Sequence, residues 1–288
     1  MKRKIFISII AIILVGCIKK NATYYIKSSK EYYSEKKYEL AIDELNLALK
    51  IEPKNADAYY NRALAYNQAN IIDSAIIDLS TVIKINNKYP SAYCYRGYVY
   101  LYKLKRLDLA VSDFTSEIRN NSKLFDAYYG LGLVYYYKEN FDLSRKNLDI
   151  AINIDSTSAS AFFLRGKIYD VQKENKLAIR DYSSGLKLDP ENDNAYNSRG
   201  SCYEAIGNKK LAINDYNSAI RINPKNGYVY MERAYLYYSI GNRERTIQDY
   251  KKATDLGFED GSKALKKLYD IDYPIRKVFK NEWYIYLK

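Results

Sequence analysis

DNAYNSRGSCYEAIGNKKLAINDYNSAIRINPKN, residues 193–226, is the stretch of this 288-residue chain that decides its fold. Two aromatic residues stand seven apart, at Tyr196 and Tyr203, with a small residue between them. Residues four and seven apart lie on one face of a helix, so this set forms a single stripe on a first helix. Ala212 and Tyr216, four apart, form the stripe of a second helix. The stretch therefore predicts two helices packed against each other.

The aromatic pair recurs seven times along the chain, at steps of 34 residues with one step of 35. The first members are Tyr25, Tyr59, Tyr93, Tyr128, Phe162, Tyr196 and Tyr230, and the second members are Tyr32, Tyr66, Tyr100, Tyr135, Tyr169, Tyr203 and Tyr237. A fixed period in this range indicates a stacked-repeat architecture. The spacing assigns these fourteen positions to the core between the helices.

Over residues 22–260 the pattern resembles a tetratricopeptide repeat array. The resemblance implies an all-α fold, a right-handed superhelical solenoid of seven helix-turn-helix repeats with a C-terminal capping helix. The repeats are expected at 22–55, 56–89, 90–124, 125–158, 159–192, 193–226 and 227–260, and the cap at 261–270. The domains are then a signal peptide at 1–16, a lipidated linker at 17–21, the repeats at 22–260, and the cap and tail at 261–288. Residues 271–288 fit either an ordered return strand or a loose tail.

The third repeat departs from the others in two ways. It contains the one-residue insertion, and it has Glu117 where other repeats have a small residue. A carboxylate at a packed position costs stability unless it is paired or tilted to solvent. We therefore expect a local change of geometry in this repeat.

Five repeats share an arginine in the first helix and an aspartate in the second. The arginines are Arg62, Arg96, Arg165, Arg199 and Arg233, and the aspartates are Asp78, Asp113, Asp181, Asp215 and Asp249. The fourth repeat lacks both charges and has Leu131 and Asn147 instead. The arginines could bind a ligand, but the joint loss favours a bridge between the two helices, because a partly buried charge needs a partner.

Turn residues separate the helices. Proline cannot continue a helix and closes three repeats, at Pro53, Pro190 and Pro224. Asn55, Asn192 and Asn226 follow these prolines as candidate N-caps, and Gly207 and Gly241 mark turns within repeats.

The N-terminus indicates export. A basic start, Lys2 to Lys4, precedes an apolar run at 5–15 that is shorter than the roughly 20 residues of a membrane-spanning helix. The run ends in Leu-Val-Gly-Cys at 14–17, which resembles the lipobox of bacterial lipoproteins. The resemblance implies that Cys17 is lipidated and becomes the first mature residue, anchored to a lipid bilayer by its acyl chains. An ordinary cleaved signal, or a short anchor with a chance cysteine, is the alternative.

The residue after this cysteine is Ile18 rather than the aspartate that retains some lipoproteins at the inner membrane. The outer membrane is therefore favoured, with the protein facing the periplasm or the cell surface. The net charge of +12 would suit nucleic acid, but an exported lipoprotein does not normally meet it, so no nucleic-acid partner is expected. The best candidate basic patch comprises Lys263, Lys266, Lys267, Arg276, Lys277 and Lys280.

Catalytic and metal-binding signatures are missing from the sequence. The chain has no histidine, which is the commonest general base and zinc ligand, and no glycine-rich phosphate loop. We expect neither an enzyme nor a cofactor or metal. Cys94 and Cys202 lie three repeats apart, so they are predicted to be free thiols with a packing role.

In arrays of this family the first helices line a concave groove that binds the ligand. Matching helix positions, the groove residues are Tyr60, Asn61, Tyr95, Tyr98, Tyr102, Tyr129, Tyr136, Tyr137, Phe163, Lys167, Asn197, Tyr228 and Tyr235, with Leu64, Asp170, Asn194, Ser201, Glu204, Glu232 and Tyr238 beside them. The two-lysine, two-asparagine and arginine clamp with which some members hold a terminal carboxylate is not recovered at these positions.

Tyrosine offers an apolar face and a hydroxyl, which suit extended peptides and also sugars. The sequence thus predicts a membrane-anchored scaffold that binds protein or peptide segments in its groove and assists assembly of an envelope complex. The alternative is a lipoprotein that captures glycan or peptide nutrients.

Overall fold

In the computed structural model, residues 20–274 can be described. The predicted signal peptide, Cys17 and residues 275–288 lie outside the described residues. Between residues 20 and 274 the chain forms fifteen α-helices and no strand, which confirms the predicted all-α repeat fold.

The helices alternate along the chain as predicted. They are α1 Ala22–Ser34, α2 Tyr38–Ile51, α3 Ala56–Gln68, α4 Ile72–Ile85, α5 Ala92–Val99, α6 Leu107–Asn120, α7 Phe125–Tyr137, α8 Phe141–Ile154, α9 Ala159–Val171, α10 Asn175–Leu188, α11 Asp193–Ala205, α12 Lys209–Ile222, α13 Gly227–Ser239, α14 Arg243–Asp255 and α15 Glu259–Tyr269. A π-helical segment, Tyr100–Leu104, continues α5.

The chain divides into two compact units between Val134 and Tyr135, so that α7 crosses the division. We call residues 20–134 the N-terminal unit and residues 135–274 the C-terminal unit. Within each unit, consecutive first and second helices of the predicted repeats pack against each other.

The core of each unit is formed by the small–large stripe of the second helices. Leu45, Leu79 and Phe114 in the N-terminal unit, and Leu148, Tyr182, Tyr216 and Tyr250 in the C-terminal unit, are at most 3% exposed. The aromatic pairs of the first helices are less buried than their spacing predicts. Only Tyr169, Tyr230 and Tyr237 are buried, and the other eleven members are half-buried. Several of the half-buried members pack against the buried clusters, so the pairs lie at the edge of the core rather than at its centre.

In five repeats the arginine lies beside the rings of the aromatic pair. In the five repeats that have the arginine, its guanidinium carbon lies 5.3–5.9 Å from the centroid of one or both rings of the pair. A cation at this distance from a ring face is attracted by the π-electrons. The aromatic pair thus forms the sides of an arginine site at the edge of the core.

Each predicted arginine–aspartate bridge is present and bidentate. The Nε and Nη2 atoms of the arginine donate to the two aspartate oxygens over 2.6–3.0 Å in all five repeats. The remaining Nη1 donates to the second helix of the preceding repeat, where it meets Asn46, Ser80, Asp149, Ser183 or Asn217. One side chain therefore ties together three helices, a link the sequence did not predict.

The third repeat accommodates its insertion in the π-helical segment. The extra residue lies between Tyr100 and Ala110, and a π turn holds one residue more than an α turn. Glu117 is 3% exposed and faces the start of α5, where its carboxylate accepts hydrogen bonds from the backbone N–H of Cys94 (3.1 Å) and Ser91 (3.3 Å). The predicted cost of burying this carboxylate is thus offset by the unsatisfied donors of a helix N-terminus.

The predicted turn signals are mostly correct. Asn55 and Asn192 accept a hydrogen bond from the third residue after them and cap α3 and α11. Asn226 is the N-cap residue of α13 as predicted, but its side chain makes no cap hydrogen bond, and its amide donates to Asp193. Gly207 and Gly241 have φ of +80° and +75°, as a turn after a helix requires.

The C-terminal end packs back on the last repeat. The helix α15 begins two residues before the start of the cap predicted at 261–270 and ends one residue before the end of that range. Beyond it, Tyr273 donates its hydroxyl proton to Asp255 over 3.0 Å, and its carbonyl accepts a hydrogen bond from Ser262. The described part of the tail is thus an ordered, irregular extension rather than a strand.

Candidate functional site

The N-terminal unit presents a tyrosine cluster formed by Tyr60, Tyr89 and Tyr95. The ring centroid of Tyr60 lies 5.1 Å from that of Tyr89 and 6.1 Å from that of Tyr95. The Tyr95 hydroxyl accepts a hydrogen bond from the Asn67 amide over 3.0 Å, and burial raises the pKa of Tyr95 to about 12. The Asn67 Oδ1 is itself buried and has no hydrogen-bond partner in the described part of the chain. Sequence reasoning had missed Tyr89 and Asn67.

Two further aromatic stacks lie in the same unit. The rings of Tyr98 and Tyr102 are nearly parallel, at 5° and 6.0 Å, and the Tyr102 side chain on the π-helical segment is 47% exposed. The Tyr98 hydroxyl is committed to the backbone carbonyl of Asp126 over 2.8 Å. Tyr129 stacks on Phe125 at 5.5 Å and 12°. The unit thus offers flat apolar faces.

Asn61 is half-buried, and its amide donates to the Asp57 carbonyl in the preceding turn of α3 over 2.6 Å. Its side-chain donor is therefore partly committed to the fold. Among the predicted groove residues of the N-terminal unit, Asn61 is the one with a side-chain amide, and this amide makes its hydrogen bond within α3.

At the start of the C-terminal unit, Tyr136 is the centre of a second aromatic group. Its ring lies 5.8 Å from that of Tyr137, which is 47% exposed, and the Nζ of Lys167 lies 5.2 Å from its centroid. Phe163 is half-buried and packs over Gly185 of α10, where a Cβ atom would clash with its ring. Of these residues, Lys167 and Tyr137 are exposed to solvent, and Phe163 contributes mainly to packing.

Two half-buried glutamates lie on first helices of the C-terminal unit. Glu204 of α11 accepts the hydroxyl proton of Tyr216 over 3.0 Å, and that hydroxyl also lies 3.3 Å from Ser201 Oγ. Burial raises the pKa of Glu232 on α13, the nearby Tyr228 hydroxyl opposes this rise, and the charge of Glu204 adds to it.

The helix α13 has three exposed tyrosines. Tyr228, Tyr235 and Tyr238 are 45–50% exposed. The Tyr235 ring packs edge-on against Tyr250 at 5.7 Å, and the buried Tyr250 hydroxyl has no hydrogen-bond partner among residues 20–274. Within the same range the buried Oδ1 of Asn197 on α11 has no partner either. Unpaired buried polar atoms carry a free-energy cost and are rare in folded proteins.

The predicted packing role of the two cysteines is confirmed, since Cys94 and Cys202 are both free and buried. Burial raises the pKa of both thiols, that of Cys202 to about 12 with Asp170 contributing.

At mildly alkaline pH, the thiolate fraction of Cys202 should fall about a thousandfold below that of an exposed cysteine. We expect iodoacetamide to label both residues only in denaturant, which peptide mass spectrometry measures. Rapid labelling in the native protein would contradict this prediction.

The lysines predicted to form a basic patch are partly neutralised. On α15, Lys263 pairs with Asp260 over 3.1 Å and Lys266 with Asp270 over 2.9 Å, which leaves Lys267 as the lysine of this helix without an ion pair between residues 20 and 274. The other members of the patch lie outside the described residues.

In the described range no helix is long and apolar enough to cross a membrane. No group of ligating side chains that could hold a metal occurs there either.

Comparison with known families bears on the repeats directly. A model described as "TPR repeat" matches residues 30–70, and one described as "Tetratricopeptide repeat" matches residues 194–226. Tetratricopeptide repeats are recognised in this chain. No curated protein matches it significantly.

Solved tetratricopeptide repeat structures share the fold at low identity. The C-terminal part of a TPR repeat-containing protein from Cytophaga hutchinsonii has a TM-score of 0.66 at 22% identity, covering 82% of this chain and 98% of that one. PilW, described as a widely conserved type IV pilus biogenesis factor, has a TM-score of 0.64 at 16% identity, covering 71% and 94%. YrrB, described as a TPR protein with an unusual peptide-binding site, has a TM-score of 0.54 at 22% identity, covering 64% and 95%. At these identities the likeness establishes the fold alone.

Proposed function

We propose that this protein is a membrane-anchored scaffold that binds segments of a protein partner on the inner side of its tetratricopeptide repeats and assists assembly of a bacterial envelope complex. The observation that carries the proposal is the set of tyrosines left uncovered on the first helices. Tyr102, Tyr137, Tyr228, Tyr235 and Tyr238 are all 45–50% exposed.

Exposed aromatic side chains that lie together, as Tyr228, Tyr235 and Tyr238 do on α13, favour a partner that covers them. Aromatic residues are enriched at protein interfaces, because they contribute a large contact area with few rotatable bonds. YrrB, a protein of the same fold, is described as having a peptide-binding site, which supports the same role here. The description of PilW as a type IV pilus biogenesis factor supports an envelope role.

The anchor in this proposal is Cys17. Its position after the apolar run at 5–15 supports lipidation, and several acyl chains exceed the two-signal requirement for stable membrane binding. The outer membrane is the proposed site. Cys17→Ser should release the protein from the membrane fraction and abolish incorporation of labelled palmitate, while continued membrane association without label would leave the anchor unsupported.

The binding proposal is tested by a pull-down from native membranes with the double variant Tyr95→Ala/Tyr129→Ala. Both rings lie on first helices of the N-terminal unit, so we expect a stoichiometric protein partner to be lost. The matched control is Ile77→Ala/Leu109→Ala, which removes two exposed apolar side chains, 64% and 46% exposed, from second helices of the same unit. Tyr102→Ala removes a more exposed ring, with less risk to the fold.

A partner captured equally by the wild type and both double variants, with unchanged melting, would place binding elsewhere.

The alternative function, capture of a glycan, is favoured by one observation, the parallel stack of Tyr98 and Tyr102 at 5°. Flat aromatic faces also suit sugar rings. Binding on a glycan array, without any protein partner in the pull-down, would support the alternative over the scaffold.

A further inference from the structure

The first repeat contains an arginine site that lacks its arginine. The aromatic pair is present as Tyr25 and Tyr32, and the acidic position of the second helix is Glu44. Ser28 stands where five other repeats have the arginine. The fourth repeat, in contrast, has lost both charges. Because the fold accepts loss of the whole ion pair there, the retained acidic half of the first repeat has a separate reason.

Glu44 lies between the two rings of the pair along α2. It follows Ala41 by three residues and precedes Ala48 by four, so the three share one helix face. Tyr32 packs against the buried cluster that contains Ala41, and Tyr25 packs against the cluster that contains Ala48. The carboxylate therefore has the same place relative to its rings as the aspartates of the complete sites.

The sixth repeat shows which group such a place holds. At the position of Glu44 it has Asp215, which accepts two hydrogen bonds of 2.8 Å from Arg199. The guanidinium carbon of this arginine lies 5.4 Å from the ring centroid of Tyr196 and 5.9 Å from that of Tyr203. Two charge-assisted hydrogen bonds and two ring faces thus hold a planar guanidinium. The complete sites define the chemistry that fits the incomplete one.

The carboxylate of the first repeat is left unsatisfied. Glu44 is half-buried, and its Oε2 is a buried atom without a hydrogen-bond partner among residues 20–274. The aspartates of the complete sites are all paired. The Nζ of Lys20 lies 5.9 Å from the Tyr25 centroid, but this exposed lysine is closer to Tyr24, at 4.4 Å, and forms no ion pair with Glu44. A buried carboxylate oxygen without a donor is costly, so a cation from outside would stabilise it.

The side of the site that faces a preceding repeat elsewhere has no such neighbour here. In each complete site the Nη1 of the arginine donates to the second helix of the preceding repeat. The helix α1 is the first one within residues 20–274, so no earlier helix in that range covers the first repeat. A guanidinium from another molecule can approach Glu44 from this side.

We propose that the first repeat binds an arginine side chain of a protein partner, whose guanidinium pairs with Glu44 and lies between Tyr25 and Tyr32. The inference rests on the proposed function and deepens it, because it specifies one residue of the bound segment. Arginine is favoured over lysine, because its planar fork meets both oxygens of a carboxylate and stacks on aromatic rings, as it does in the five complete sites.

The test is a selection from a randomised peptide library displayed on phage, with the full chain as bait. We expect arginine to be enriched among the bound peptides. The strongest peptide is then measured by fluorescence anisotropy against versions with its arginine replaced by citrulline or lysine. The arginine peptide should bind about tenfold more tightly than the citrulline peptide, which corresponds to about 1.4 kcal/mol. Glu44→Gln should erase this preference, and the matched control Glu39→Gln, at an exposed glutamate of the same helix, should keep it.

A second variant fills the site from within the chain. Ser28→Arg places an arginine at the position that five other repeats use, so it should pair with Glu44 and raise the melting temperature. It should also lower the affinity for the arginine peptide about tenfold, to that of Glu44→Gln. The matched control Ser34→Arg adds the same charge at an exposed serine of α1 and should leave the affinity unchanged.

The outcomes separate this inference from the proposed function. Peptides that bind without arginine enrichment, and equally to the wild type and Glu44→Gln, would overturn the arginine site and leave the scaffold standing. An arginine preference that survives in both Glu44→Gln and Ser28→Arg would overturn it as well. A wild-type dimer that Glu44→Gln dissociates in size-exclusion chromatography would assign the arginine to a second copy and overturn binding of a separate partner. Failure of the folded protein to select any peptide would contradict the peptide-binding function together with this site.

Discussion

Replacing Arg199 with alanine is expected to lower the free energy of unfolding by about 3–5 kcal/mol. The guanidinium donates to both oxygens of Asp215 over 2.8 Å and to Ser183 of the preceding repeat over 2.9 Å. Because Asp215 is only 6% exposed, its charge would remain buried without a counter-ion. At roughly 2 °C or more per kcal/mol for a chain of this size, thermal unfolding followed by circular dichroism should show a loss of about 6 °C or more.

The fourth repeat supplies the control for this experiment. It has Leu131 and Asn147 where Arg199 and Asp215 stand. The double variant Arg199→Leu/Asp215→Asn copies that solution and should lose much less stability than Arg199→Ala, since no charge is left unpaired. Equal losses for the two variants, or an unchanged melting temperature for Arg199→Ala, would show that the bridge contributes little.

The bridge also shows how far the sequence could predict the packing. Arginine and aspartate disappear together in the fourth repeat, and this internal comparison was enough to predict the pairing. The third contact of each arginine could not be predicted from the sequence. Its acceptor is Asn46 or Asn217 in some repeats and serine or aspartate in others. Because asparagine, serine and aspartate can all accept this hydrogen bond, the repeats share no single residue type that would reveal the contact.

The candidate site was predicted at the level of helix faces and not of contacts. Repeat spacing placed Tyr60 and Tyr95 on first helices, and the structure brings their rings together. Tyr89 was missed because it lies in the loop after α4, where the helical period no longer applies.

The third repeat shows the same limit for backbone structure. The one-residue insertion is visible as a step of 35, and it indicates that something must change between Tyr100 and Ala110. An extra residue could lengthen the loop or enter a helix, and the period does not distinguish these. The structure places it in the π-helical segment, which carries the exposed Tyr102 that stacks on Tyr98.

Replacing Glu117 with alanine is the second change expected to have a large effect. Its carboxylate accepts from the backbone N–H groups of Cys94 and Ser91 at the start of α5, in a position 3% exposed. Alanine would leave these donors unsatisfied inside the protein and would open a cavity. Hydrogen bonds to a charged group are worth about 1.5–3 kcal/mol each, so a loss of about 3 kcal/mol is expected by urea unfolding.

Alanine is nevertheless the kind of small residue that most other repeats have at this position, as Ala151 and Ala219 illustrate. If packing space alone governed the site, Glu117→Ala would therefore be neutral or stabilising. The cap predicts the opposite, because Ser91, the residue before α5, has a left-handed conformation at φ of +60° and makes no side-chain cap hydrogen bond. Glu117→Gln keeps an acceptor oxygen without the charge, so its stability should lie between those of the wild type and Glu117→Ala. This order of stability would show that Glu117 caps the helix and is more than a tolerated buried charge. A Glu117→Ala variant as stable as the wild type would refute the cap.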